Sequence, residues 1–237
     1  MTRMTRKVLN VMEEKWDYLI ILDACRYDYF ESLYKEFFDG DLEKRISLGS
    51  NTIEWCLESF KGYYPDVIYI SGNPYINSKV GIKGFNARRN FYKVIDVWDF
   101  GWDNELSTVP PWNINKYALK YIDKKMIIHY MQPHGPYIGK VRLDIETWDK
   151  YGKTIRGMWE HPRPDINLLR EAYKANLELV LREVERLIKY VKSRGFKKKI
   201  VITADHGELL GEDGMFAHPC HVKHPVLNTV PWLEVQL

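Results

Sequence analysis

The sequence predicts an α/β protein built around a mostly parallel sheet. Two short apolar runs, residues 16–23 and 199–207, lie near opposite ends of the chain, and each finishes in polar residues. This pattern is typical of a buried strand whose carboxyl end meets a loop. A long stretch of helical periodicity leads into the second run. Together these three observations indicate the α/β class.

Two further strands are predicted between these runs. Residues 66–71 and 125–130 are short and mainly apolar, and turn or polar residues bound each of them. In open α/β sheets, ligand sites form outside the carboxyl ends of the strands. The polar residues that end the runs 16–23 and 199–207 are therefore predicted to meet at one place.

Two helices are predicted with their ends. Residues 51–60 form one, and Ser50 or Asn51 is the residue that caps it. Residues 167–193 place apolar side chains mostly at three- and four-residue intervals, and Gly195 follows as the stop. The second helix leads directly into the last predicted strand.

Two tracts are predicted to be long loops over one face. Residues 72–112 are rich in Asn, Gly, Pro and aromatic residues, and residues 146–164 are irregular. Loops of this length in a compact domain are more often functional than idle, so both tracts are candidates for a substrate-facing cover. The aromatic residues within 72–112 indicate a substrate with an apolar or sugar-like part.

The composition fits one globular domain over residues 1–237. Of the 237 residues, 45% are hydrophobic, which is enough for a sizeable core. A formal net charge of +3, from 35 basic and 32 acidic residues, gives no field that points to nucleic acid. The longest apolar stretches are about half a membrane span. We therefore expect neither a nucleic-acid partner nor a membrane span.

The start of the chain and the cysteines predict a cytoplasmic protein. MTRMTRKVLN is followed by VMEEKWD rather than by an apolar run and a cleavage site, so no secretory signal is expected. Cys25, Cys56 and Cys220 show no C-x-x-C spacing, which suits a reducing compartment. We expect these cysteines to be core packing rather than catalytic.

Asp205 and His206 are the strongest local signal for chemistry. A carboxylate and an imidazole side by side after a buried strand supply two ligands to a divalent cation, and Gly207 lets the chain turn closely. A helix-capping Asp205 beside a packed His206 is the alternative. Asp23 ends another apolar strand and has the same need for a cation or a donor partner.

Four motifs in order resemble the alkaline phosphatase superfamily, in particular its sulfatase-like branch. They are ILDACRYD, the Ser/Thr-bearing loop of GSNTIEWCLESF, HYMQPHGPY, and VITADHGELLGEDG followed by H-P and VPWLEV. The resemblance touches both ends and the centre of the chain, and residues 72–112 lie outside it. It implies a three-layer α/β/α sandwich with a mostly parallel central sheet.

The resemblance also implies a metal ion and a nucleophile. The metal would be manganese, zinc, magnesium or calcium, held by Asp23, Thr52, Asp205 and His206. Thr52 would be the nucleophile, and Ser50 is the alternative hydroxyl in the same loop. A hydroxyl needs a metal or a base to become reactive at neutral pH, and a helix N-terminus favours an incoming phosphate. Simple helix capping by both hydroxyls is the competing account.

Substrate roles follow from the same resemblance. His134 would contact the transferring group or protonate the leaving oxygen, and His129 and His218 would lie on the substrate side. Arg26 and Lys223 are candidates to bind phosphate oxygens. Packed histidines and surface salt bridges are the alternative accounts of these residues.

The sequence departs from the family in two respects. No C-x-P-S-R motif is present, so phosphate esters are favoured over sulfate esters. The position four residues before His134 is Tyr130 rather than an aspartate, so one tight metal site is expected. His221 and His224 are weaker candidates for a second metal, because Pro219 and Pro225 make a long helix there unfavourable.

The leading hypothesis is a metal-dependent hydrolase, or a transferase of phosphorylated head groups, that acts on phosphate esters through a threonine nucleophile. Its partner would be a small-molecule or head-group ester. A sulfate-ester hydrolase is one alternative. A catalytically inactive metal- or anion-binding protein on the same fold is the other.

Overall fold

The protein is built on one eight-stranded sheet. A computed structural model describes residues 7–143, 147–148, 154–156 and 165–236. The strands of the large sheet are β1 (Lys7–Leu9), β2 (Tyr18–Leu22), β3 (Gly40–Ser47), β4 (Tyr64–Ser71), β5 (Phe91–Asp96), β6 (Lys125–Tyr130), β9 (Ile200–Thr203) and β12 (Thr229–Val235). Two small antiparallel pairs join β7 (Thr147–Trp148) to β8 (Thr154–Arg156) and β10 (Leu209–Leu210) to β11 (Phe216–Ala217).

The sheet is mostly parallel. Its strand order is β1-β3-β12-β9-β2-β6-β4-β5, and β12 runs antiparallel to both of its neighbours while the other neighbouring pairs are parallel. Strand β2 lies near the centre, and all five of its residues are buried. This explains its uninterrupted apolar sequence, because a central strand between two helical layers has no solvent-facing side.

The helices differ widely in length. The long helix α6 (Ile166–Ser193) begins at Asp165, whose side chain accepts hydrogen bonds from the backbone of Asn167 and Leu168. Its apolar residues recur on one side, which is the side that faces the core. The other helices are α1 (Tyr27–Leu33), α2 (Thr52–Ser59), α3 (Ala87–Asn90), α4 (Val97–Phe100), α5 (Pro111–Ala118) and α7 (Pro225–Asn228).

Helices cover both faces of the sheet. On one face, Trp55 of α2 packs its ring edge-on against His129 of β6. On the other face, the Tyr130 hydroxyl of β6 donates to Asn115 of α5, and Asn115 donates to Glu183 of α6. Side chains of adjacent strand residues point to opposite faces, so these contacts place α2 opposite α5 and α6. The three-layer sandwich is confirmed.

The predicted strands and helices are confirmed. Strands β2, β4, β6 and β9 occupy the four apolar runs, and α2 and α6 occupy the two helical stretches. Asn51 rather than Ser50 caps α2, because its side chain accepts from the backbone N–H of Glu54 at 3.0 Å. Gly195 follows α6 with a φ of +77°, a value that favours glycine.

The prediction that residues 72–112 are a long loop is wrong in part. This tract contains α3, α4 and the edge strand β5, which pairs with β4. Strand β5 exposes Tyr92 and Lys93 at its start, and this mixture hides the apolar pattern of a strand. The tract 146–164, predicted as a second loop, lies mostly outside the described residues.

None of the described helices has both the length and the apolar run needed to cross a lipid bilayer. Cys25 and Cys56 are buried free thiols, and Cys220 is an exposed one. Burial raises the pKa of both Cys25 and Cys56 well above that of a free thiol. These two side chains are neutral, as core packing requires.

We expect Gly207→Ala to destabilise the fold. The backbone N–H of Gly207 donates to Leu227 at 2.7 Å, so α7 lies directly on the turn after β9. A Cβ atom at position 207 would lie 2.0 Å from the backbone oxygen of Val226. The free energy of unfolding, measured in urea, should fall by about 3 kcal/mol.

Gly62→Ala is the matched control, because a Cβ atom there would lie 3.8 Å or more from its neighbours. Its free energy of unfolding should change by less than about 0.5 kcal/mol. If both variants lower the free energy of unfolding equally, the close approach of α7 to position 207 is not the cause of the destabilisation.

Candidate active site

Two carboxylates meet at the carboxyl ends of the adjacent parallel strands β2 and β9. Asp23 follows β2 directly, and Asp205 lies just beyond the end of β9. Asp205 Oδ1 accepts hydrogen bonds from the backbone N–H of Ala24 at 3.1 Å and of His206 at 2.9 Å. Both carboxylates are at most 1% exposed. The sheet therefore buries two acidic side chains close together, where the two apolar runs end.

His206 presents one ring nitrogen to these carboxylates. Its Nδ1 atom lies 2.8 Å from the carbonyl oxygen of Gly207. Because a carbonyl can only accept, Nδ1 carries the proton and the neutral ring has its lone pair on Nε2. Nε2 lies 3.3 Å from Asp205 Oδ2 and 3.8 Å from Asp23 Oδ1. Burial lowers the pKa of His206, which favours the neutral ring that a metal requires.

Thr52 brings a hydroxyl to the same place from the start of α2. Its Oγ1 atom donates to Asp205 Oδ2 at 2.8 Å and lies 3.3 Å from His206 Nε2. The Ser50 hydroxyl donates instead to Glu54 at 2.7 Å. Of the two hydroxyls in this loop, Thr52 is the one whose oxygen contacts the buried carboxylate.

Asn73 and His129 hold the Asp23 carboxylate. Asn73 Nδ2 donates to Asp23 Oδ2 at 2.7 Å, and His129 Nε2 lies 3.2 Å from the same oxygen. The other ring nitrogen of His129 lies 2.7 Å from the Tyr69 hydroxyl. Burial opposes ionisation of Asp23, but His129 and the other nearby histidines hold the pKa of its carboxyl below its usual range.

These residues fit a divalent cation. Asp23, Asp205 and His206 each offer one ligand atom, and the three atoms lie within 4.8 Å of one another. Asp23 Oδ1 is buried without a hydrogen-bond partner, which is costly for a carboxylate unless a cation completes its surroundings. Carboxylate oxygens and an imidazole suit zinc and manganese, and carboxylates alone also suit magnesium and calcium. We call Asp23, Thr52, Asp205 and His206 the metal group.

A second set of ligand-type side chains adjoins the metal group. His134, Glu208 and His218 offer ligand atoms within 4.8 Å of one another, and we call them the His134 group. The ring centroids of His206 and His218 are 4.5 Å apart, and those of His134 and His218 are 5.0 Å apart. Although burial disfavours an imidazolium, the Glu208 carboxylate 2.7 Å away raises the pKa of His218 to about 9.

Two residues predicted for substrate binding have other partners. The Arg26 guanidinium donates to both carboxylate oxygens of Asp28 and, at 2.7 Å, to Glu212. These bonds favour the ion-pair account of Arg26 over phosphate binding. His129 is fully buried against Asp23, so its contacts support that carboxylate and leave no surface for a substrate.

The remaining candidates in the 217–225 segment are dispersed. Lys223 is exposed, and the His221 side chain is 90% exposed. The His224 ring accepts a hydrogen bond from the backbone of Val226 at the start of α7. His221 and His224 therefore do not combine into a second metal site, and His218 is the histidine of this segment that approaches the metal group.

Sequence reasoning missed Asn73 and Glu208. Asn73 comes two residues after β4 ends, and the same rule of polar residues at strand ends that selected Asp23 applies to it. Glu208 follows Gly207 and lies beside the Asp-His pair in sequence. Its pairing with His218 depends on the antiparallel pairing of β10 with β11, which brings His218 back beside Glu208 and which no local sequence pattern indicates.

Comparisons with known proteins identify the architecture. A scan against protein-family models finds no match, and a search of curated proteins finds none. Solved structures do match. The periplasmic domain of phosphoethanolamine transferase EptC from Campylobacter jejuni matches with a TM-score of 0.52 and 17% identity over 97% of this chain and 78% of that chain. The chain therefore has an alkaline phosphatase-like fold.

Two other matches have this alkaline phosphatase-like fold. Phosphonate monoester hydrolase of Agrobacterium radiobacter matches with a TM-score of 0.60 and 12% identity over 91% of this chain and 67% of that chain. A putative sulfatase from Bacteroides thetaiotaomicron matches with a TM-score of 0.56 and 14% identity over 94% of this chain and 65% of that chain. The similarity to the sulfatase-like branch is thus confirmed in the fold.

The cytoplasmic prediction is wrong by the same comparisons. The Campylobacter jejuni structure is a periplasmic domain, as is the matching domain of EcEptC from Escherichia coli. The prediction rested on the first residues of the sequence and on the spacing of the cysteines, and neither feature is set by the chemistry of the site. Matching structures with this fold are thus periplasmic domains, and they point away from the cytoplasm.

We expect Glu208→Gln to remove a pH-dependent part of the stability of the metal-free protein. Glu208 raises the pKa of His218 to about 9, whereas the ordinary value is 6.5. The pair therefore stabilises the folded state fully below pH 6.5 and loses this contribution as the pH rises through 9. In urea unfolding, the advantage of wild type over Glu208→Gln should shrink by up to about 3 kcal/mol between pH 6 and 9.5.

Glu212→Gln is the control for this measurement. Glu212 pairs with Arg26, which stays charged throughout this range, so the cost of the substitution should be the same at both pH values. An advantage of wild type over Glu208→Gln that stays constant with pH would contradict the raised pKa of His218.

Proposed function

We propose that the protein is a metal-dependent hydrolase or transferase of phosphate esters that uses Thr52 as its nucleophile. One observation carries this proposal. The Thr52 hydroxyl lies at the first residue of a helix and within 2.8 Å and 3.3 Å of the Asp205 carboxylate and the His206 ring nitrogen. The solved structures with this fold include a phosphoethanolamine transferase and a phosphonate monoester hydrolase.

The surroundings of Thr52 suit an attack on phosphorus. The hydroxyl is 5% exposed and is fixed by its bond to Asp205, so little freedom is lost when it meets a substrate. The N-terminus of α2 brings partial positive charge to the same side, which favours phosphate oxygens. When bound by the metal group, a divalent cation would lower the pKa of the Thr52 hydroxyl and offset phosphate charge.

The proposed reaction has two steps. Thr52 Oγ1 passes its proton to Asp205 Oδ2, the acceptor of its hydrogen bond, and forms a bond to phosphorus while the bond from phosphorus to the leaving oxygen breaks, which leaves a phosphothreonine. The leaving oxygen takes a proton from the His134 group, where His218 is protonated at neutral pH because of Glu208. Water, in a hydrolase, or an alcohol, in a transferase, then attacks the phosphothreonine and restores Thr52.

The positions of the cysteines favour phosphate over sulfate esters. Sulfatases of the usual kind derive their nucleophile from a cysteine, as the family resemblance implies. Cys25 and Cys56 are fully buried, and burial raises the pKa of both thiols. Thr52 occupies the place next to Asp205 where such a nucleophile would be needed.

Thr52→Ala should cut turnover by about 10³-fold or more while the protein stays folded. The measurement is hydrolysis of 4-nitrophenyl phosphate, its phosphodiester and its sulfate by metal-stripped protein resupplied with manganese, zinc, magnesium or calcium. Ser50→Ala is the matched control, because its hydroxyl contacts Glu54, and its turnover should stay within about 10-fold of wild type. Full activity of Thr52→Ala would end the proposal of a threonine nucleophile.

Asp205→Ala should abolish metal binding and turnover together. Asp205 contacts Thr52 and His206 through its two oxygens, and its loss removes one of the three ligand atoms that lie together. Titration calorimetry with each of the four metals should show affinity reduced by at least about 100-fold. Asp213→Ala, which removes an exposed carboxylate, should bind metal as wild type does. Wild-type affinity in Asp205→Ala would place the metal elsewhere.

A further inference from the structure

Helix α6 contacts three of the loops that carry site residues. Arg170, Tyr173 and Asn176 follow one another at three-residue spacing, which places them on one side of the helix. Arg170 Nε donates to the backbone oxygen of Leu210, in the segment that contains Glu208. Tyr173 and Asn176 reach the loops of Asp23 and His134. One helix therefore contacts the loop after Asp23, the loop that carries His134 and the segment that follows Glu208.

Tyr173 holds the loop after β2. Its hydroxyl donates to the backbone oxygen of Ala24 at 2.7 Å and accepts from the backbone N–H of Arg26 at 2.8 Å. Ala24, next to Asp23, has a φ of +58°, a strained value for a residue with a side chain. The Tyr173 hydroxyl is fully buried, so these two bonds have no competition from water.

Asn176 holds the loop that carries His134. Its Nδ2 atom lies 3.1 Å from the backbone oxygens of Pro133 and His134 and 3.4 Å from that of Pro136. Its Oδ1 atom accepts from the backbone N–H of Ile138 at 3.0 Å. Asn176 is 0% exposed, so its amide is committed to this one loop. Because this buried amide bonds to backbone groups on both sides of His134, it restricts where the His134 ring can lie.

We propose that Tyr173 and Asn176 of helix α6 are positioning residues, Tyr173 for the Asp23 side of the metal group and Asn176 for His134. The two loops are also joined directly, because the backbone N–H of His134 donates to the backbone oxygen of Asp23 at 3.1 Å. The rigid helix thus sets the separation between Asp23 and His134. This proposal rests on the proposed function for its kinetic consequences.

The test separates the two positioning residues by two readouts that need no turnover. The first is the ring ¹H–¹³C resonance of His134 in the metal-free protein, assigned with His134→Gln. The second is Mn²⁺ and Zn²⁺ affinity by titration calorimetry. Asn176→Leu should shift the His134 resonance and leave metal affinity within about 3-fold, whereas Tyr173→Phe should weaken metal binding by about 10-fold and leave the resonance in place.

Kinetics supply a third readout once turnover of 4-nitrophenyl phosphate is shown. Asn176→Leu should lower kcat by about 10²-fold with little change in KM, as expected when a catalytic group is misplaced. In the His134→Ala background the same substitution should lower kcat by less than about 3-fold, because the residue through which it acts is gone. If Asn176→Leu does not fold, Asn176→Asp, which keeps the acceptor for Ile138 but loses the donor, replaces it.

Asn115→Leu is the matched control, because Asn115 is also a buried asparagine; it donates to Glu183 of α6 and accepts from Tyr130 of β6, and it bonds to neither loop. It should lower stability without shifting the His134 resonance or the metal affinity. The proposal is overturned if Asn115→Leu reproduces the changes of Asn176→Leu, or if Asn176→Leu costs as much in kcat without His134 as with it. A wild type without turnover would end the proposed function, while the resonance and the metal affinity would still decide the positioning roles.

Discussion

The structure depends on the burial of two carboxylates, Asp23 and Asp205, beside each other at the carboxyl ends of the central strands β2 and β9. Two like charges in a poorly hydrated place repel and lose solvation, so the surroundings must compensate for both. Backbone N–H groups and the Thr52 hydroxyl compensate Asp205, and Asn73 and His129 compensate Asp23. One oxygen of Asp23 remains without a donor, and a cation is the partner that would complete it.

The parallel sheet and α6 make this burial feasible. Strands β2 and β9 are neighbours, so their following residues are delivered to one point with fixed spacing. The loops after β2 and β6 are then tied from behind by buried side chains of α6, Tyr173 for the first and Asn176 for the second. Flexible loops would spread the charged groups apart, whereas loops tied to a long helix keep them within bonding distance.

The histidines of the site have different protonation states because their partners differ. His206 is neutral, because it is buried and donates to a carbonyl, which leaves a lone pair for a metal. His218 is cationic, because Glu208 lies against it. A candidate metal ligand and the proposed proton donor thus lie within one cluster of rings, as the proposed phosphoryl transfer requires. This division of roles is the physical basis of the proposed phosphate-ester chemistry.

The sequence by itself determined the local elements and the residues at their ends. Apolar runs and helical periodicity predicted β2, β4, β6, β9, α2 and α6, because these elements are buried on a regular pattern. Tertiary structure alone decided what those ends contact. Three contacts show this: Thr52 rather than Ser50 contacts Asp205, His129 is buried against Asp23, and Glu208 pairs with His218. The first two join residues far apart in the chain, and the third joins residues on either side of the β10–β11 pair. Such contacts depend on strand order and loop return, for which neighbouring residues carry no signal.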